Sequence, residues 1–130
     1  MGALVYRSER YPFDDRTVAH LRAAITNKLR RKEGFLLSWT VAAVDGGGRV
    51  SLWISTATPL QFVFENESIE LNTRWLEALA RSSHGPRGMV IIPESAAEGI
   101  AAGAPGDRGV QERIQAALNE VTAQLPAARP

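Results

Sequence analysis

The chain has 130 residues, 45% of them hydrophobic, a formal net charge of +1 and no cysteine. That length fits one domain with some tail left over, and a core that needs neither metal nor disulfide. The missing thiols exclude disulfide staples, thiolate catalysis and cysteine-based metal centres, and the near-neutral charge gives no argument for nucleic acid or membrane.

No apolar run approaches the ~20 residues of a membrane span, and the opening Met1–Tyr6 is too short for a signal peptide. The expectation is a soluble, cytoplasmic protein without membrane contact or cofactor.

In chain order, Ala3 to Arg7 reads as a first strand, with Leu4 and Tyr6 on one face. Tyr11-Pro12 ends it, because proline disfavours helix in the residue before it. Asp14 or Asp15 then caps a helix whose apolar stripe is Val18, Leu21, Ala24, Ile25 and Leu29, at steps of three and four. Lys28, Arg30, Arg31 and Lys32 crowd its last turn, and Gly34 stands where a left-handed stop is wanted.

After Gly34 the period changes to two. Phe35, Leu37, Trp39 and Val41 suit a buried face; Leu36, Ser38, Thr40 and Ala42 face the other way. The glycine-rich segment Val44–Arg49 is a hairpin turn. The next strand turns Val50, Leu52, Ile54 and Thr56 inward and Ser51, Trp53 and Ser55 outward. Thr58-Pro59 breaks the run, and Leu60, Phe62 and Phe64 alternate with Gln61, Val63 and Glu65 in a fourth strand.

Asn72 or Thr73 caps a second helix, Arg74 to Ser82, burying Leu76, Leu79, Trp75 and Ala80. Met89 to Pro93 is a short fifth strand. From Glu94 the composition shifts: residues 95–107 read as an Ala/Gly/Pro-rich linker, and 108–125 as a C-terminal amphipathic helix. Its stripe is Val110, Ile114, Ala117, Leu118, Val121 and Leu125.

The expected fold is therefore α+β, with a domain over residues 1–94. It is a two-layer sandwich: a mainly antiparallel five-stranded sheet in the order β-α-β-β-β-α-β, with two helices on one face. Short connections favour it over a doubly wound parallel sheet.

The stretches Phe13–Leu21, Lys28–Trp39, Ser51–Trp53, Thr58–Leu60, Asn72–Leu79 and Gly88–Glu94 resemble a family of short, uncharacterised bacterial proteins. Members are often labelled ATP-dependent DNA ligases. The resemblance spans about residues 1–94 and implies an association with DNA ligation or repair. It transfers no catalytic residue. A ligase of that class needs a nucleophilic lysine in a Lys-x-Asp-Gly setting. Lys32-Glu33-Gly34 lacks the spacing and Val44-Asp45-Gly46 lacks the lysine.

No convergent catalytic or metal-binding cluster stands out. His20 lies beside the apolar stripe, where packing outweighs catalysis, and His84 sits in a loop with Ser82 and Ser83. Gly46–Gly48 leads into a strand, not into the helix a phosphate loop needs. Two surfaces remain. Lys28, Arg30, Arg31, Lys32, Arg49 and Trp53 are the candidate nucleic-acid contacts. Trp53, Val63, Val110, Ile114, Leu118 and Val121 are the candidate interface for a protein partner or a second copy. The ranking is a non-enzymatic, self-associating interaction module first and a nucleic-acid accessory module second.

Overall fold

The computed structural model describes residues 1–66, 68–101, 112 and 114–116. The chain is α+β. Its strands form two three-stranded sheets instead of the single five-stranded sheet expected from the alternation.

The first sheet has the order β2-β1-β5, with β1 at Gly2–Tyr6, β2 at Glu9–Phe13 and β5 at Leu60–Val63, all antiparallel. The segment around Tyr11-Pro12 is thus a strand and not a terminator. Pro12 is tolerated because β2 is an edge strand, with one side of its backbone free of ladder bonds. Tyr6 pairs with Glu9, leaving a two-residue loop in which Arg7 takes a left-handed φ of 55°. β5 pairs with β1 and not with the strand before it, so the expected three-stranded meander does not form.

The second sheet has the order β4-β3-β6, with β3 at Phe35–Thr40, β4 at Arg49–Ile54 and β6 at Met89–Val90. β3 and β4 make the antiparallel hairpin read from the glycine run; β6 joins β3 in parallel. A 3-10 turn at Ala43–Asp45 precedes Gly46, Gly47 and Gly48, whose φ values are 111°, 73° and 86°. Three successive left-handed residues explain why the tip is all glycine. The Val41 amide closes it on the Gly48 carbonyl at 2.9 Å.

Helix α1 (Asp15–Arg30) begins at Asp14, whose side chain accepts from the Thr17 amide at 2.7 Å. Val18, Leu21, Ala24 and Ile25 are buried, as the stripe requires, each leucine or isoleucine contributing about 1.5–3 kcal/mol. The helix does not stop at Gly34. The left-handed residue is Lys32, with φ 57°. The Glu33 amide reaches the Lys28 carbonyl and the Lys32 amide reaches that of Leu29, a Schellman ending.

Helix α2 (Thr73–Ser82) is capped by Asn72, whose side chain accepts from the Arg74 and Trp75 amides. It buries Trp75, Ala78, Leu79 and Ser82 against α1, β6 and the short helix α3 (Ala97–Ala101). The two sheets meet through aromatics: Tyr11 and Phe13 of β2 stand edge-on to Trp39 of β3, at 5.1 and 5.3 Å.

The first residues of the expected linker form a 3-10 turn (Glu94–Ala96) and α3, which buries Ala97, Ile100 and Ala101. Of the expected helix 108–125, Glu112 and residues 114–116 are described and helical; Ile114 is buried in the chain's own core.

A polar network locks the helices together. Buried His20 accepts the Asn72 amide on Nε2 at 2.8 Å, while Nδ1 lies 2.7 Å from the Arg16 carbonyl. A carbonyl only accepts, so the proton sits on Nδ1. The imidazole also lies 4.3 Å from the Trp75 ring. Arg16 grips Glu94 with two bonds of 2.8 and 2.7 Å, and Asn72 Nδ2 donates to the same carboxylate. These donors, Arg16 first, hold the Glu94 carboxyl at about 2, well below its ordinary 4.5.

Candidate functional site

Alternation along β3 and β4 puts Leu36, Ser38 and Thr40 on one face with Arg49, Ser51 and Trp53. Directly opposite pairs are Leu36 with Trp53, Ser38 with Ser51, and Thr40 with Arg49. Ser38 Oγ donates to the Arg87 carbonyl at 2.9 Å, so its 2.9 Å contact with Ser51 Oγ is donated by Ser51. The middle of the face is therefore polar and satisfied, with Ser38 buried.

One end of the face is apolar and open. Trp53 is 56% exposed and Leu36 37%. The indole lies across Gly34: a Cβ there would sit 2.9 Å from Trp53 Cζ2. Gly34 thus serves as the seat of the tryptophan, not as the stop of α1. The six-membered ring of the indole packs on Gly34, and the residue stays more than half exposed. Gly88, with φ 73°, packs on Leu36 from the far side, where a Cβ would fall 2.4 Å from the Leu36 carbonyl oxygen.

β4 is an edge strand: among the described residues no strand pairs with its outer side, which the Tyr6 side chain reaches only at Trp53. Tyr6 donates its hydroxyl to the Trp53 carbonyl at 3.1 Å. That carbonyl points away from β3, so by the two-residue period the amides and carbonyls of Ser51 and Arg49 point outward too.

The basic residues do not share this surface as one patch. Lys28 is mostly covered and pairs with Glu33 at 3.4 Å; Arg31 pairs with the same carboxylate at 3.1 Å. Arg30 faces a groove along α1. Lys32 is exposed two residues before Gly34, and Arg49 shares the outer face with Trp53. Val63 belongs to the other sheet, opposite Ala3, so it does not stand beside Trp53. Ile114 is 1% exposed and packs within its own chain, while Val110, Leu118 and Val121 lie outside the described residues.

Leu36, Gly34 and Tyr6 complete the face and were not picked out by residue chemistry. A glycine diagonal to a tryptophan across a hairpin is the signal that could have found the seat. Among the described residues no cluster of histidine, aspartate and glutamate could hold a metal ion, and no helix is long and apolar enough to cross a membrane.

Residues 1–94 match a family described as a Domain of unknown function (DUF7882). The chain belongs to this family. No curated protein and no solved structure matches it. The outer face of the β3–β4 hairpin, from Gly34 to Trp53, falls wholly inside the DUF7882 segment, as do Tyr6 and Gly88 that support it.

Proposed function

We propose that this domain is a non-enzymatic interaction module that pairs with a second copy of itself through the outer edge of β4. The observation that carries the reading is the register available to two such edges. A two-fold axis through Ser51 sets Ser51 against its own copy, Val50 against Leu52, and Arg49 against Trp53. Every pair is then matched by face. The outward groups of Ser51 exchange two hydrogen bonds, and each Arg49 guanidinium meets the exposed indole of the other copy. A cation over an exposed indole contributes about 0.5–1 kcal/mol. Edge pairing of this kind draws its affinity from main-chain bonds and its register from side chains.

The test is solution mass by analytical ultracentrifugation across protein concentration. A concentration-dependent dimer is expected. Ser51→Lys, which sets like charges opposite each other on the axis, dissociates it while the monomer keeps a cooperative thermal transition. A monomer at every concentration, or a dimer indifferent to Ser51→Lys, refutes the reading.

A second reading draws on the same exposed ring and on Arg49, which shares its face four residues along β4: a nucleic-acid accessory module in DNA ligation or repair, as the ligase-labelled resemblance implies. Stacking on Trp53 predicts a mass shift with single-stranded DNA that weakens as salt rises. Absence of that shift at low salt removes it.

A further inference from the structure

The outer side of α1 forms one wall of a groove of about 660 Å³, a size typical of small-ligand sites. The opposite wall is the connection between β5 and α2, carrying Phe64 and Leu71. Ala19 and Ala23 keep the helix side low. Arg22 and Arg30 rise from it eight residues apart, about 12 Å along the axis. Among the described residues neither arginine has a carboxylate within ion-pair distance, unlike Lys28 and Arg31 on the same helix.

The connection is fixed in place at both ends. Asp15 accepts the Glu65 and Asn66 amides at 3.3 and 2.8 Å, and Arg16 Nη1 donates to the Glu70 carbonyl at 3.0 Å. Arg22 lies over the Phe64 ring at 6.0 Å, and Leu71 is 44% exposed. An apolar wall and two arginines with no carboxylate in ion-pair distance among the described residues coincide in one groove.

We propose that this groove binds a small amphipathic anion: an apolar body lying along Phe64 and Leu71, with a phosphate, carboxylate or sulfonate held by Arg22 and Arg30. Guanidinium groups suit all three oxyanions, since their paired N–H donors match two oxygens of one group. This binding is separate from the pairing edge at β4 and does not depend on it.

The test is fluorescence titration of the full chain with 8-anilinonaphthalene-1-sulfonate, followed by competition with adenosine monophosphate and with dodecanoate. Saturable binding is expected, weakened at least about tenfold in the Arg22→Ala/Arg30→Ala double variant and unchanged in Trp53→Ser. Displacement by the nucleotide assigns a nucleoside phosphate as the ligand type; displacement by dodecanoate assigns an acyl carboxylate. No saturable binding, equal affinity in the double arginine variant, or loss of binding in Trp53→Ser overturns the proposal. The last result would place the probe on the exposed indole instead. Both arginines are outward-facing on the helix, and an unchanged melting temperature in the double variant checks that its fold is intact.

Discussion

Replacing His20 with leucine and with glutamine separates the packing of this buried side chain from its hydrogen bonding. The imidazole is fully buried, accepts the Asn72 amide at 2.8 Å and stacks on Trp75 at 4.3 Å. Leucine fills much of the same space but leaves the Asn72 amide without an acceptor. A buried donor left unmade costs about 1–3 kcal/mol, and the lost ring contact about 0.5–1.5 kcal/mol. His20→Leu should therefore destabilise the domain by about 2–4 kcal/mol. Glutamine carries an oxygen that reaches roughly where Nε2 sits, so it restores the acceptor while losing the ring and the Nδ1 bond to the Arg16 carbonyl. His20→Gln should cost about 1–2 kcal/mol, despite being the more polar residue in a buried place. The assay is urea denaturation, read as the shift in midpoint at constant slope. If leucine is tolerated as well as or better than glutamine, the His20–Asn72 bond is not what joins α1 to α2, and the reasoning fails.

Glu94→Gln tests the carboxylate network by pH. Folding lowers this pKa, so its stabilisation is fully present above about 4.5 and fades as pH falls towards 2. With Glu94 34% and Arg16 44% exposed, solvent screening leaves about 1 kcal/mol of difference from wild type at pH 7. Urea midpoints of the two proteins should converge near pH 2, and a gap that persists there refutes the assignment. Lys32→Gly relieves a left-handed backbone that costs an L-residue about 1–2 kcal/mol, against a chain-entropy loss of about 0.5–1 kcal/mol. A small rise in melting temperature is expected, and a fall contradicts the Schellman ending. Truncation after Glu94 removes Ile100 and Ile114 from the core, each contributing about 1.5–3 kcal/mol. A loss of at least about 3 kcal/mol in chemical denaturation is expected, and an unchanged midpoint contradicts the burial.

What sequence periodicity revealed was local. The stripe of α1, the alternation of β3, the glycine tip and the Asn72 cap all appear at their expected residues, because each depends on neighbours a few positions away. What it missed depends on partners distant in sequence. β2 was hidden by Pro12, which signals a break in a central strand but not on an edge. The β1–β2 turn was hidden because its left-handed residue is Arg7, where glycine or asparagine would have announced it. β5 reads as a strand from its alternation, yet nothing local says that it pairs with β1. The division into two sheets follows from that one pairing. Gly34 shows the same limit within the site. Its place after a basic helix end suggested a stop, while its role is to seat Trp53 from the neighbouring strand.

The family segment and the hydrophobic core do not end at the same residue. The family match closes at Glu94, but burial continues through Ala97, Ile100 and Ala101 and reappears at Ile114. Glu94 itself is held by Arg16 from α1 and by Asn72 from the start of α2. The shared segment thus fixes the point from which the chain leaves it. Beyond that point Arg74 of α2 meets Glu98 of α3 at 3.1 Å, and α3 places its buried alanines and Ile100 against α2. Small residues let this short helix approach closely, so the alanine-rich composition that read as linker is also what close packing requires. The proposed pairing edge has the opposite origin: Tyr6, Gly34, Leu36, Arg49, Ser51, Trp53 and Gly88 all lie inside the family segment. Pairing through β4 is therefore a property to look for across the family, whereas closure of the core over α2 draws on residues that the family pattern does not include.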